Sequence, residues 1–153
     1  MKSGNGSGKA SGEPVAVSAL RVVDASVVAA WVLPDEDNEA AARWIAYDAG
    51  QSLIAPFHFP AEMANVILVA IRRRRITELQ AALFRQKVAA LDLEIDDVGQ
   101  ASLALRTPLL AQTHGLTIYD ALYLELALRR NLPLVTFDRD LRRAAEAEGV
   151  WIA

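Results

Sequence analysis

Three of the most apolar stretches of this 153-residue chain each carry an acid near one end: Asp24 within Leu20 to Val32, Glu62 within Ala61 to Ile71, and Asp120 within Ile118 to Leu128. A fourth, Asp138, follows the strand-like Leu134-Val135-Thr136. A carboxylate in a buried segment costs several kcal/mol unless it is paired or hydrogen-bonded, so an acid there usually serves a cation or a polar partner. Four acids at the ends of core elements suggest one shared divalent-metal site. Bringing such groups together raises their pKa values by mutual repulsion, and a bound Mg²⁺ reverses that penalty.

The composition narrows the metal. There is no cysteine, which excludes disulfides, thiol nucleophiles and cysteine-ligated zinc or iron-sulfur centres. With only two histidines, His58 and His114, a multi-histidine site cannot be built from one chain. Oxygen ligands remain, and these favour Mg²⁺ or Mn²⁺ over zinc. The net charge of -3 decides nothing about nucleic acid, because an acidic metal cluster hides locally basic surface within the total.

The elements that must position these acids follow from punctuation and periodicity. Strands are expected at Leu20–Val23, Ser52–Ala55, Leu93–Ile95, Leu134–Thr136 and Val150–Ile152. Helices are expected from Ala25 to Leu33, Glu39 to Ala49 after an Asn38 cap and before Gly50, Pro60 to about Arg74, Thr77 to about Leu91, Val98 to about His114, Thr117 to about Asn131, and Arg139 to about Glu148. Thr77-Glu78-Leu79-Gln80 has capping-box spacing, and Pro108 predicts a kink or break inside its helix. Short apolar strands alternating with helices argue for an open parallel α/β sheet with helices on both faces, whose sites lie at the carboxyl ends of the strands. Asp24 and Asp138 fall at two such ends. Residues 1–19, rich in Gly and Ser, read as a flexible extension with no signal-peptide core, and residues 20–153 as one domain. Charges interrupt every apolar run before it could span a bilayer, so no membrane partner and a cytoplasmic location are expected.

Each acid also has a plain structural reading. Asp138 could cap the last helix, Asp120 could close a helix start with Thr117, and Glu62 gains from a helix dipole. Against these stand the neighbours: Glu62 and Asn65 are the only polar side chains from Ala61 to Ile71, and Asp120 and Glu125 the only charges from Ile118 to Leu128. Asp24 lies between a buried strand and an apolar helix with no adjacent base.

The segments Val22-Val23-Asp24-Ala25-Ser26, Pro60-Ala61-Glu62-Met63-Ala64-Asn65, Tyr119-Asp120 through Ala127, and Thr136-Phe137-Asp138-Arg139-Asp140-Leu141 resemble, in order and spacing, the successive motifs of PIN-domain ribonucleases, especially VapC-type toxins. The resemblance runs from Arg21 to Ile152. It implies a PIN-like three-layer α/β/α sandwich with a central parallel sheet, a Mg²⁺- or Mn²⁺-dependent RNA endonuclease, neutralisation by a cognate VapB-type antitoxin, and a homodimer. Carried over by motif, Asp24, Glu62, Asp120 and Asp138 would be the catalytic and metal-binding quartet. Ser26, Asn65 and Thr136 would support it by hydrogen bonds, with Asp140 a further acid outside the motif position.

Three other features are ambiguous. Arg72 to Arg75 reads either as a solvated helix end or as a contact for RNA phosphate or an acidic antitoxin segment, and Arg129, Arg130, Arg139, Arg142 and Arg143 form a second basic region. His58 reads as a loop histidine rather than a ligand, and His114 as a helix C-terminal residue. Trp31, Trp44 and Trp151 read as core or edge packing, the first two alternatively as lining for an antitoxin helix. A non-catalytic PIN-like binding or scaffold module is the competing function. A phosphatase or receiver-type domain fits less well, since the first strand lacks a paired acid motif and no lysine follows a late strand.

Overall fold

The computed structural model describes residues 20–34, 38–45 and 52–152. The expected N-terminal extension, the acidic run at 35–37 and the end of the second helix lie outside the described residues. Four parallel strands form the sheet: β1 (Leu20–Val23), β2 (Ser52–Pro56), β3 (Leu93–Asp96) and β4 (Leu134–Val135), in the order β3-β2-β1-β4. Val22 of β1 aligns with Ile54 on one side and Leu134 on the other, so β1 is interior and its end is flanked by neighbours. Val22, Val23, Ile54, Leu134 and Val135 are buried, as befits strands covered on both faces.

Among the described residues seven α-helices cover this sheet: α1 (Ala25–Val32), α2 (Asn38–Ile45), α3 (Phe59–Arg72), α4 (Glu78–Ala89), α5 (Arg106–His114), α6 (Ile118–Arg130) and α7 (Arg139–Ala147). α1 packs on α2, α3 and α4, while α6 packs on α5, α7 and strands β1 and β2. A layer of helices thus lies on each face, the α/β/α sandwich expected. None of these helices is long and apolar enough to cross a membrane.

Local chemistry explains the boundaries. Thr77 closes the expected capping box, accepting from the Gln80 amide at 3.2 Å while its own amide donates to Gln80 Oε1 at 2.8 Å. Gly115, at φ 68°, and Asn131, at φ 52°, end α5 and α6 in the left-handed conformation that suits those two residue types. α6 is buried continuously from Ala121 to Ala127, because it runs under the sheet and beneath α5 and α7 together.

Five expectations are corrected. The single kinked helix from Val98 to His114 is two elements, a 3-10 segment Val98–Ala104 and then α5, broken at Leu105. Pro108 falls in the first turn of α5, where its missing N–H has no helical acceptor to lose. The last strand reduces to one bridge between Ile152 and Leu134, and Trp151, expected to pack, is 59% exposed. α3 stops at Arg72, with Arg74 turned to φ 57°, and it is not buried on most sides: Phe59, Met63, Ile67 and Ala70 face the core while Ala61, Ala64, Asn65 and Leu68 face outward. An apolar sequence allowed either burial, and only one face of this helix meets the sandwich.

Away from the four acids, Arg129 joins two buried carboxylates, Asp96 at the end of β3 (2.6 Å) and Glu125 on α6 (3.0 Å), and Ser102 donates to Glu125 at 2.8 Å. This network fastens the edge strand and the 3-10 segment to α6, and it accounts for the second charge in the apolar α6. Arg129→Met takes away the guanidinium that both carboxylates share, which should cost on the order of 3 kcal/mol in urea unfolding. Arg143→Ala, which removes only exposed contacts, the pair with Asp140 and a long 3.4 Å bond to the His114 carbonyl, should cost well under about 1 kcal/mol. Equal losses for the two would contradict a structural role for the network.

Candidate active site

All four acids stand at helix starts. Asp24 is the residue before α1, Glu62 and Asp120 lie in the first turns of α3 and α6, and Asp138 is the residue before α7. Asp24 and Asp138 also follow directly on the carboxyl ends of the adjacent strands β1 and β4. The Asp24 amide donates to the Val135 carbonyl at 3.0 Å, continuing the β1–β4 pairing one residue past the strand.

Asp24 holds the N-cap position of α1, yet its side chain makes no capping hydrogen bond. Its Oδ2 instead accepts from the Ser26 hydroxyl and, at 2.7 Å, from the Thr136 hydroxyl of the neighbouring strand end. Each hydroxyl is itself held, since Ser26 Oγ accepts from the Phe137 amide at 3.1 Å and Thr136 Oγ1 from the Asp138 amide at 3.0 Å. Ser26 and Thr136, the expected supporters, thus both donate hydrogen bonds to Asp24. Burial, only partly offset by those two donors, pushes the Asp24 carboxyl up to about 6, with Glu62 and Asp120 repelling its charge further.

The other three are more open. Asp120 Oδ2 accepts from Thr117 Oγ1 at 2.7 Å, while its amide donates back to that oxygen at 3.1 Å. Its carboxyl is raised by burial, with Asp138 and Glu62 adding repulsion against the Thr117 bonds. Asp138 caps α7 through the Leu141 amide at 2.7 Å. For these two the structural readings hold, each on one carboxylate oxygen. Glu62 Oε2 accepts from Tyr123 Oη at 2.7 Å and lies 3.4 Å from His58 Nε2. Burial raises the Glu62 carboxyl, but contact with His58 and Tyr123 outweighs it and leaves the group below its ordinary value.

Tyr123 is the residue that sequence reasoning passed over. Its ring is fully buried and burial raises its phenol strongly, so it stays a neutral donor to Glu62. The available signal was spacing: Tyr123 is one helical turn after Asp120 and shares its face. His58 lies in the turn before α3, as expected of a loop histidine, and is buried there. Two expected participants stand apart: Asn65 is exposed and bonds to none of the acids, and Asp140 is 72% exposed and paired with Arg143 at 3.0 Å.

No lysine or arginine bonds to any of the four acids among the described residues. As the side chains stand, no three acidic or histidine groups among the described residues close into a ligand set. The chemistry of the donors still fits a hard divalent cation. All are carboxylate oxygens, burial and then mutual repulsion raise Asp24 and Asp120, and Asp24, Asp120 and Asp138 each keep one oxygen clear of the hydrogen bonds that orient them among the described residues.

The raised Asp24 carboxyl has a consequence for stability in metal-free protein. Unfolded, the group titrates near 3.8, and folded near 6, so the folded chain keeps a proton that the unfolded chain has lost. Stability therefore falls as pH rises through that window, by about 3 kcal/mol in all. Asp24→Asn keeps an acceptor for both hydroxyls without the charge. In EDTA at pH 8 this variant should melt above wild type, and the difference should vanish by pH 4; a lower melting temperature at pH 8 would contradict the burial of an uncompensated charge.

Comparison with known proteins places the chain. Residues 21–147 match the family profile of the PIN domain. Ribonuclease VapC3 of Pyrobaculum aerophilum is 32% identical over 120 residues, which cover 78% of this chain and 90% of the relative. Among solved structures, PAE2754 from Pyrobaculum aerophilum superposes with a TM-score of 0.61 at 25% identity, over 84% of this chain and 81% of the other. FitAcB from Neisseria gonorrhoeae shares the fold, with a TM-score of 0.60 at 15% identity, over 87% and 95%. Four helix-start acids around a parallel sheet, in a chain matched along most of its length, belong to the PIN-domain family, in its VapC-type branch.

Proposed function

We propose that this protein is a Mg²⁺- or Mn²⁺-dependent RNA endonuclease, the toxin of a VapBC-type pair. The observation that carries the reading is Asp24, a buried carboxylate withheld from helix capping and clamped by two hydroxyls although its charge is unfavourable there. The ribonuclease name of the relative from Pyrobaculum aerophilum supplies the substrate class. A scaffold module would gain nothing from that carboxylate, which a neutral side chain could replace at lower cost.

Asp24, Asp120 and Asp138 are the proposed metal ligands. The bound ion would supply a water of lowered pKa and polarise the scissile phosphate. Ser26 and Thr136 fix one oxygen of Asp24 and so aim the other. Glu62, steadied by Tyr123 and held ionised at neutral pH, would accept a hydrogen bond from the attacking water. In-line attack forms a bond from water oxygen to phosphorus as the bond to the 3′ oxygen breaks, leaving a 3′-hydroxyl and a 5′-phosphate.

A VapB-type antitoxin would silence the site most directly with an arginine or lysine, which neutralises the acids without a reactive water. Its binding to Asp24→Asn should then be weaker than to wild type, at low salt more than at high. Equal affinity at every salt concentration would place inhibition elsewhere.

Cleavage itself is tested with single-stranded RNA. Wild type should cut it in Mg²⁺ or Mn²⁺ and stop in EDTA. Asp120→Asn, which preserves shape and the bond to Thr117, should lose about 100-fold or more, beyond what removal of an outer partner costs. Undiminished cutting by the folded variant would remove Asp120 from the ligand set.

A further inference from the structure

Beside the acids, on the outward face of α3, lies a hollow of about 340 Å³ lined by His58, Ala61, Glu62, Asn65 and Tyr119. Its walls are unusual for a solvated surface. Tyr119 leaves 63% of its area exposed although it adjoins the first-turn acid Asp120. Its ring centroid is 5.5 Å from that of His58, which in turn packs edge-on against Tyr123 at 5.2 Å and Phe57 at 5.8 Å. His58 is therefore anchored by aromatic contacts on several sides, and Tyr119 extends that cluster into solvent.

The polar groups of the hollow are also underused. His58 is 9% exposed, and neither ring nitrogen makes a hydrogen bond among the described residues, the nearest approach being Nε2 to Glu62 Oε2 at 3.4 Å. Buried polar atoms without partners are few in folded proteins, and those lining a cavity mark a place where a ligand can bond. Asn65, exposed on the next turn of α3 from Glu62, presents an amide that can both donate and accept.

We propose that this hollow receives one unstacked nucleobase of a single-stranded RNA, next to the phosphate held at the acids. The inference rests on the endonuclease reading and adds the part that chooses where the strand is cut. A flat aromatic face, an amide and a buried ring nitrogen are the elements by which splayed bases are recognised: stacking on the ring, and hydrogen bonds along the base edge. Tyr119 supplies the stacking face, Asn65 the edge contact, and His58 the floor. Because Tyr119 adjoins Asp120 and Asn65 lies one turn from Glu62, a base seated here fixes which phosphate lies over the acids.

Two measurements separate this from the cleavage reading. The first is binding of a fluorescein-labelled random-sequence single-stranded RNA 12-mer in EDTA, by anisotropy. Tyr119→Phe should bind as wild type does, and Tyr119→Ala about tenfold more weakly, the low end of what loss of one stacked base costs. The second is sequencing of the cut ends of a random RNA pool in Mn²⁺, where Asn65→Ala should flatten the base preference at one position beside the cut. Equal RNA affinity for wild type, Tyr119→Phe and Tyr119→Ala, or no binding by wild type, overturns the subsite. So does a Tyr119→Ala defect confined to binding of a co-expressed protein partner. Tyr119-dependent binding by a wild-type protein that cuts no RNA in either metal would keep the subsite and remove the cleavage reading instead.

Discussion

A carboxyl group buried inside the sandwich, where its charge is unfavourable, is the constraint around which the rest of this structure is organised. Asp24 sits where β1 gives way to α1, 4% exposed, with its charge opposed by burial and by two neighbouring acids. Two hydroxyls hold it, and each depends on a different piece of chain. Ser26 belongs to the first turn of α1, and Thr136 reaches across only because β4 lies beside β1 in parallel register. The backbone amides of Phe137 and Asp138 then orient those hydroxyls. Sheet order is therefore a condition of the site as well as of the core.

The remaining acids combine helix capping with room for the proposed ligand role. A carboxylate has two oxygens, and in Asp120 and Asp138 one is used to shape a helix start while the other stays clear of it. The hydrogen bond that satisfies the helix also fixes the rotamer, which is the preorganisation a hard cation needs from its ligands. Glu62 is arranged differently, through Tyr123 and His58, whose contacts lower its carboxyl below the ordinary value, whereas those of Asp24 and Asp120 are raised. Opposite shifts for Asp24 and Glu62 within one cluster separate a group that gains from a cation from one suited to accept a hydrogen bond from water.

Much of this was legible in the residues. Apolar runs bounded by Pro, Gly and capping residues marked the four strands and the helices around them, because burial on both faces of a parallel sheet demands continuous apolar segments. The Thr77 capping box and the Gly115 stop behaved as local chemistry requires. The acids stood out because charge is rare inside such segments, and Ser26 and Thr136 lay close to them in motif order. The failures are equally physical. Pro108 marked a disruption but not its place, since proline is tolerated in a first turn, and the break fell at Leu105. The apolar stretch at α3 promised burial that the sandwich grants to one face only.

What the sequence determined by itself was the material: short parallel-sheet strands, helices that begin on acids, and an all-oxygen donor set with no cysteine to compete. The tertiary structure alone decided which of those acids share an electric field, because Asp24 and Asp120 are far apart in the chain and feel one another's charge only once α6 packs against β1. It also decided that Tyr123 donates to Glu62, 61 positions earlier, and that Asn65 and Asp140 stand apart from the cluster although their motifs adjoin it. Local pattern specifies which face of an element is apolar, whereas the direction of a polar side chain depends on what is packed opposite it.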